Sequence, residues 1–278
     1  MNVLDADFSG LRVRVSGLEA EMSARLAEDW APFLGPASAG PPLLDVEVGL
    51  LDGPAGVEPF RPKRMTATLG PDGARFGLPQ GDGAVQPDGQ GRIRVRRAPG
   101  ATPYFTMMNL LRACLAWRLP SVSAAMLHAA GLVVDGRAFV LAGPEGAGKT
   151  TWVRLGQRGG GEVLSDDLVL VQCGRDSVEA LGSPFHSRHP GPYRPGRWPL
   201  AAILFPRHGS RAAWRRTSAL LARARLAANL PFVAQDLEAD GRIASVLERL
   251  AAGVPCGELT FALDPGFVDL LRGAGPHV

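Results

Sequence analysis

The sequence predicts a mixed α/β (α+β) protein, in which a P-loop-containing domain is preceded by a small α+β unit. Three observations carry this. Apolar residues alternate at period two in several short segments before residue 100, as half-buried strands do. In other segments they recur every three or four positions, as on amphipathic helices. Between Ala138 and Thr151 an apolar run passes into a glycine-rich loop and then into Lys149 and two threonines, a strand–loop–helix pattern. The expected units are residues 1–100 and 101–278.

The first strand expected is the LRVRV segment, with Leu11, Val13 and Val15 on one face and Arg12 and Arg14 on the other. From Leu18 the period changes. Leu18, Met22, Leu26 and Trp30, closed by Phe33 and Leu34, form a helical stripe that stops before Gly35 and Pro36. Short alternating segments follow at Leu44–Val48, Met65–Leu69, Phe76–Leu78 and Ile93–Val95. Separated by turn residues, they read as an antiparallel meander. The polar, glycine-rich stretch from Gly81 to Gly91 reads as a mobile loop. The RIRVRR run at Arg92–Arg97 reads as the wet face of a strand rather than a phosphate-reading surface.

In the second unit, Thr102 and Pro103 supply a cap and a first-turn proline. Phe105, Met108, Leu111 and Leu115 form the stripe of the helix behind them, with Met107 and Met108 as core filler. The apolar runs Met126–Val134 and Arg137–Ala142 meet at Asp135-Gly136, a strong hairpin signal. A short helix follows the loop, ended by Gly156 and then Gly159–Gly161. Strands are expected near Leu168–Val171, Pro199–Phe205 and Glu258–Leu263, and helices near Ser218–Ala228 and Ile243–Leu250. Trp214, Arg215 and Arg216 read as a solvated basic turn. The proline-rich run from Ser183 to Arg197 excludes regular structure and marks a long irregular loop, of the kind that is functional or disordered. Within it Arg188 is a candidate phosphate or acceptor contact, whereas His186 and His189 lack a third metal ligand.

The central motif is Gly143-Pro144-Glu145-Gly146-Ala147-Gly148-Lys149-Thr150, with Thr151 behind it. Gly143, Gly146 and Gly148 allow backbone conformations closed to other residues, so successive N–H groups can face a triphosphate. The N-terminus of the following helix adds its positive end. Lys149 is suited to the β- and γ-phosphates of ATP, and the Thr150 hydroxyl to Mg²⁺. Among 30 basic residues only Lys63 and Lys149 are lysines, which suggests that position 149 requires a compact ammonium. Asp166 and Asp167, at the end of a buried run, suit a magnesium-and-base role at the γ-phosphate.

Composition narrows the class. A chain of 278 residues with 46% hydrophobic content can bury a sizeable core. A net charge of +3 without clustering gives no sign of nucleic acid. The cysteines Cys114, Cys173 and Cys256 have no C-x-x-C spacing, so neither a zinc site nor a disulfide framework is expected. With no export pattern and no membrane-spanning run, the expectation is a cytoplasmic protein without a membrane partner.

The order Leu127-His128, an Asp-Gly hairpin, GPEGAGKT, a short helix, a glycine-rich bend and SDD resembles the catalytic domain of bacterial HPr kinase/phosphorylase. It is also similar to HPr-kinase-related kinases found near biosynthetic clusters for modified peptides. The likeness is specific over about residues 122 to 172 and does not reach the first hundred. It implies a P-loop-containing mixed-sheet kinase domain of phosphoenolpyruvate-carboxykinase-like type, in which Lys149 serves the phosphates and Thr150 the Mg²⁺. It further implies Asp166 as general base toward an acceptor serine, His128 as that aspartate's partner, and Asp167 for the metal or its water shell. The family's Glu-Ile-Arg-Gly-Leu-Gly segment has no counterpart here. The expectation is therefore a Mg-ATP-dependent kinase without phosphorylase activity, acting on a serine of a peptide or small protein other than HPr. A small-metabolite kinase and a nucleotide-binding regulator without transfer remain alternatives, and homo-oligomerisation is left open.

Overall fold

The computed structural model describes residues 2–35, 40–51, 65–97, 103–187, 191, 193–232 and 240–273; Lys63, Thr102, Arg188 and His189 lie outside them. The described chain is a mixed α/β fold built on two sheets.

The first sheet has seven strands: β1 (Asn2–Asp7), β2 (Arg12–Leu18), β3 (Leu44–Leu51), β4 (Thr66–Gly70), β5 (Gly73–Leu78), β6 (Gly81–Val85) and β7 (Gln90–Arg96). They lie in the order β1-β2-β3-β7-β6-β5-β4. The alternation in β2 does what it predicts, with Val13 and Val15 fully buried. The helical stripe becomes α1 (Ala20–Asp29) and a 3-10 turn at Ala31–Phe33 that completes it. The sheet is not a pure meander. β4 to β7 are antiparallel, but β3 runs parallel to both β2 and β7, because α1 carries the chain from β2 back to the start of β3. Sequence periodicity missed β1, which is held by charge: Arg12 bonds Asp5 at 2.7 and 2.6 Å, and Arg14 reaches the same carboxylate.

The expected mobile loop at 81–91 is a correction. It forms β6, a turn and the start of β7. Its glycines answer to packing rather than motion, since α2 (Pro103–Arg118) lies across the first sheet against β3, β5, β6 and β7. A Cβ at Gly81 would stand 2.5 Å from the Arg94 carbonyl oxygen and 3.2 Å from Thr106 of α2, and one at Gly83 would meet Cys114 at 3.4 Å. α2 is buried nearly all round, with Met107, Leu110 and Cys114 at zero exposure, whereas Phe105, expected on the buried stripe, is 49% exposed. The arginines flanking Ile93 pair outward as expected, Arg92 with Glu47 and Arg94 with Asp82.

The second sheet has eight strands: β8 (Ala124–Val134), β9 (Arg137–Ala142), β10 (Glu162–Ser165), β11 (Leu168–Cys173), β12 (Val178–Leu181), β13 (Arg197–His208), β14 (Ala213–Arg216) and β15 (Cys256–Phe261). The two long strands each serve two sets of partners. The first half of β8 pairs with β11 and its second half with β9 and β10; the start of β13 pairs with β12 and its later part with β9 and β15. Pairing thus closes a circuit through β8, β11, β12, β13 and β9. That explains why β8 reads as a continuous apolar run. The β8–β9 turn takes φ of 50° at Asp135 and 74° at Gly136, the two left-handed residues of a type I′ hairpin.

Around this sheet lie α3 (Lys149–Arg158), α4 (Ala219–Ala227), α5 (Gly241–Gly253) and α6 (Phe267–Gly273). Gly156 does not end α3. It lies inside the helix, where a Cβ would fall 2.1 Å from Leu132, and it brings α3 close onto β8. The expected basic turn at 214–216 is instead the edge strand β14, antiparallel to β15. α6 carried no sequence expectation; its Phe267 stacks on Trp152 of α3, 5.6 Å between centroids. One core cluster runs without a break from Phe8 and Trp30 under the first sheet to Leu127, Val171 and Phe185 of the second. All three cysteines are buried and free, and no helix among the described residues is long and apolar enough to cross a membrane.

If close approach is what selects these glycines, Gly81→Ala should destabilise the protein by about 1–3 kcal/mol through its clash with backbone. Gly83→Ala, which meets only a side chain at contact distance, should change stability by less than about 0.5 kcal/mol. Urea denaturation of the two variants checks the contrast.

Candidate functional site

The loop leaves the C-terminal end of β9, a strand flanked by β8 on one side and by parallel β13 on the other. Gly146 and Gly148 take φ of 80° and 90°, and Gly148 is the residue from which α3 starts. Gly143 has a different reason. It lies outside the positive-φ set, and a Cβ there would stand 2.8 Å from Pro206 and 3.1 Å from Ala147. Glu145 and Gly146 are exposed on the loop, and Thr150 is half-buried in the first turn of α3. A cleft of about 970 Å³ opens over Gly143–Gly148 and Thr151 and runs along the ends of β13 and β15 past Phe205, Arg207, Phe261 and Leu263. Its volume is that of a drug-sized or nucleotide-sized ligand site. Another hollow, of about 820 Å³, lies on the open face of the first sheet and contains none of the loop residues.

Lys149 is 7% exposed. Its Nζ donates to the carbonyls of Gly143 at 2.6 Å and Pro144 at 2.9 Å, and lies 3.0 Å from His128 Nε2. Three ammonium protons thus meet three acceptors, which makes His128 Nε2 the acceptor and puts the ring proton on Nδ1. Nδ1 lies 3.3 Å from an oxygen of Asp167. The loop, the lysine, one imidazole and a carboxylate form a single hydrogen-bonded line. Burial lowers the Lys149 pKa, opposed by the charges of Asp167 and Glu145. At Asp167 burial pushes upward, but the hydrogen bond from His128 and the charges of Arg112 and Lys149 together hold the carboxyl below its ordinary value.

This corrects the expected pairing: His128 meets Asp167, not Asp166. Strand register decides it. β8 and β11 pair His128 with Leu168, and the Ala129 N–H donates to the Asp167 carbonyl at 2.9 Å, so Asp167 lies beside the histidine. The turn is tied by Ser165, whose hydroxyl donates to the Phe185 carbonyl at 2.7 Å and accepts from the N–H groups of Asp167 and Leu168. Asp166 is 3% exposed and faces the other way. Its Oδ1 accepts the Ser187 N–H at 2.9 Å, and Tyr193 bonds the same carboxylate. Burial, then the charge and hydrogen bond of Asp166, push the Tyr193 hydroxyl pKa up. His186 stacks on Tyr193 at 4.7 Å. The described residues hold no group of three or more His, Cys, Asp or Glu able to bind a metal.

Sequence reading missed Arg112. It is a lone charge in the apolar run MNLLRACLAW of α2, and a charge among buried residues was the available signal. Its guanidinium lies 5.4 Å from the Phe185 ring centroid. At the far end of the cleft Glu258 holds Arg215 and Arg225 at 2.7 Å and Arg207 at 3.1 Å, and hydrogen bonds from Arg215, Arg225 and Arg207 bring its pKa down to about 2.

Mixed parallel pairing around a glycine loop that opens a helix defines an α/β fold with a concave site at the strand ends. Scans of family models and of curated proteins gave no match. Among solved structures, the chain is similar to the Hpr(Ser) kinase/phosphatase from Coxiella burnetii, at 11% identity and a TM-score of 0.30, over 53% of this chain and 88% of that one. This is a distant structural relationship.

The depressed Asp167 pKa has a stability consequence. A carboxyl whose folded value lies below its unfolded value stabilises the fold above the unfolded value, and that contribution is lost as pH falls through the folded one. Between about pH 5 and pH 2 the wild-type protein should lose stability more steeply than Asp167→Asn, as read from denaturation midpoints; equal slopes would contradict the geometry.

Proposed function

We propose that this chain is a kinase that binds Mg-ATP at residues 143–151 and transfers the γ-phosphoryl group to a hydroxyl, that of a serine in a peptide or small protein. The observation that carries the reading is the line Lys149–His128–Asp167, which ties the glycine loop to a carboxylate through one imidazole. A glycine loop with a helix N-terminus suits a polyphosphate without further machinery. A carboxylate joined to it supplies what transfer to a hydroxyl also needs.

The donor set fits Mg²⁺: the Thr150 hydroxyl and the Asp167 carboxylate are hard oxygen ligands, and this ion takes few protein ligands beside phosphate and water. When bound, the ion spreads the phosphate charge. The remaining steps fall to the chain. Lys149 turns its ammonium to the β- and γ-phosphate oxygens, and the loop N–H groups cradle them. Asp167, rather than Asp166, accepts the hydroxyl proton, and His128 holds that carboxylate through Nδ1–H. A carboxylate with a lowered pKa is a weak base. It serves because the phosphoryl-transfer transition state is loose and needs the nucleophile oriented more than deprotonated early. Asp166, held by Ser187 and Tyr193, braces the 183–187 segment behind the site.

Incubating the full chain with γ-labelled ATP, Mg²⁺ and short serine-containing peptides tests the reading. Lys149→Met and Asp167→Asn should each lose transfer by on the order of 10²–10⁴-fold, and Asp166→Asn should lose less than Asp167→Asn. Absence of nucleotide binding, or full-rate transfer by Asp167→Asn, would refute it.

A further inference from the structure

Arg112 is the one residue of the cluster that comes from the helix covering the first sheet. Its Nε is buried with no hydrogen-bond partner, and among the described residues the guanidinium forms no hydrogen bond or ion pair. Its contact is the face of Phe185. Phe185 is itself pinned from both sides. Its ring packs edge-on against Phe8 at 5.3 Å, and Phe8 packs on Trp30 at 5.0 Å. Its carbonyl holds Ser165, the residue that ties the turn bearing Asp167. The first sheet's core thus fixes a guanidinium within electrostatic reach of Asp167.

A guanidinium whose Nε is buried without a bonded anion weakens the fold, since part of its hydration is lost and no protein acceptor replaces it. Burial lowers the Arg112 pKa, with Asp167, Tyr104 and Asp29 too distant to bond it but acting the other way. Proteins keep such costly groups where activity needs them. Arginine's planar fork is the donor suited to phosphate and carboxylate oxygens.

We infer that Arg112 is the counter-cation for an oxyanion that arrives beside Asp167 during phosphotransfer, either the transferring phosphoryl group or an anionic group carried by the acceptor. This rests on the kinase reading above. Arg112 changes no bond itself: the γ-phosphorus parts from the bridging oxygen of ADP and joins the acceptor oxygen, whose proton passes to Asp167. The guanidinium donates N–H bonds to the oxyanion throughout.

The test uses the full chain and its Arg112→Met and Arg112→Lys variants, with MgADP, aluminium fluoride and inorganic phosphate as probes in calorimetric titrations. MgADP should bind all three proteins alike. Aluminium fluoride should tighten MgADP binding to the wild type, and Arg112→Met should lose about tenfold to a hundredfold of that gain, with Arg112→Lys recovering part. That result assigns the transferring phosphoryl group. Retained tightening with lost phosphate binding, measured with the loop filled by a non-hydrolysable ATP analogue, assigns the acceptor's anion. Thermal stability of Arg112→Met should equal or exceed that of the wild type. Unchanged binding in both arms overturns the inference, as does a clear fall in stability, which would make Arg112 structural. A wild-type protein that binds no MgADP sinks the kinase reading and this inference with it.

Discussion

The contact on which the candidate site depends is the ammonium of Lys149 against the imidazole of His128. Through His128 it links the glycine loop at the end of β9 to the acidic turn between β10 and β11. The two segments come from strands β9 and β11, which each pair with β8 and not with each other, and His128 stands on β8 between them. A side chain from the central strand is the shortest bridge. Because an ammonium has protons only to give, its bond fixes which histidine nitrogen accepts, and thereby which one faces Asp167. One contact sets charge, tautomer and orientation together.

The described segments 182–187 and 193–196 are held by the first sheet as well as by the second. Ser9, in the turn between β1 and β2, donates its hydroxyl to the Gly182 carbonyl at 3.0 Å and accepts the Gly196 N–H at 2.9 Å. Arg197 reaches the Ser9 carbonyl at 2.8 Å. With Phe8 against Phe185, the first sheet braces the segment whose carbonyl at 185 and N–H at 187 hold Ser165 and Asp166. The continuous core beneath both sheets makes this brace stiff. An α+β unit that carries no catalytic motif of its own thus bears directly on the geometry of the acidic turn.

Glycine has three separate uses here. At 146 and 148 it supplies left-handed backbone to the loop. At 143 and 156 it lets Pro206 and Leu132 come into contact where a methyl would not fit, and at 81 it does the same for a neighbouring strand's carbonyl. The last two uses look identical to a flexible linker in sequence, because composition records the missing side chain and not the atom that excludes it.

What the chain's sequence determined by itself was local. Period-two alternation placed β2, β3 and β7, helical spacing placed α1 and α5, the Asp135-Gly136 pair placed the hairpin, and the glycine pattern placed the loop that starts α3. Each of these follows from backbone sterics and side-chain periodicity over a few neighbouring residues. Tertiary structure alone decided which of two adjacent aspartates faces His128, since consecutive residues at a turn point apart and only the β8–β11 register selects between them. It alone ran β3 parallel to its neighbours, turned 81–85 into a strand under α2, and brought Arg112 to Phe185 from more than seventy residues away in sequence. Those outcomes depend on distances between segments, which no local pattern encodes.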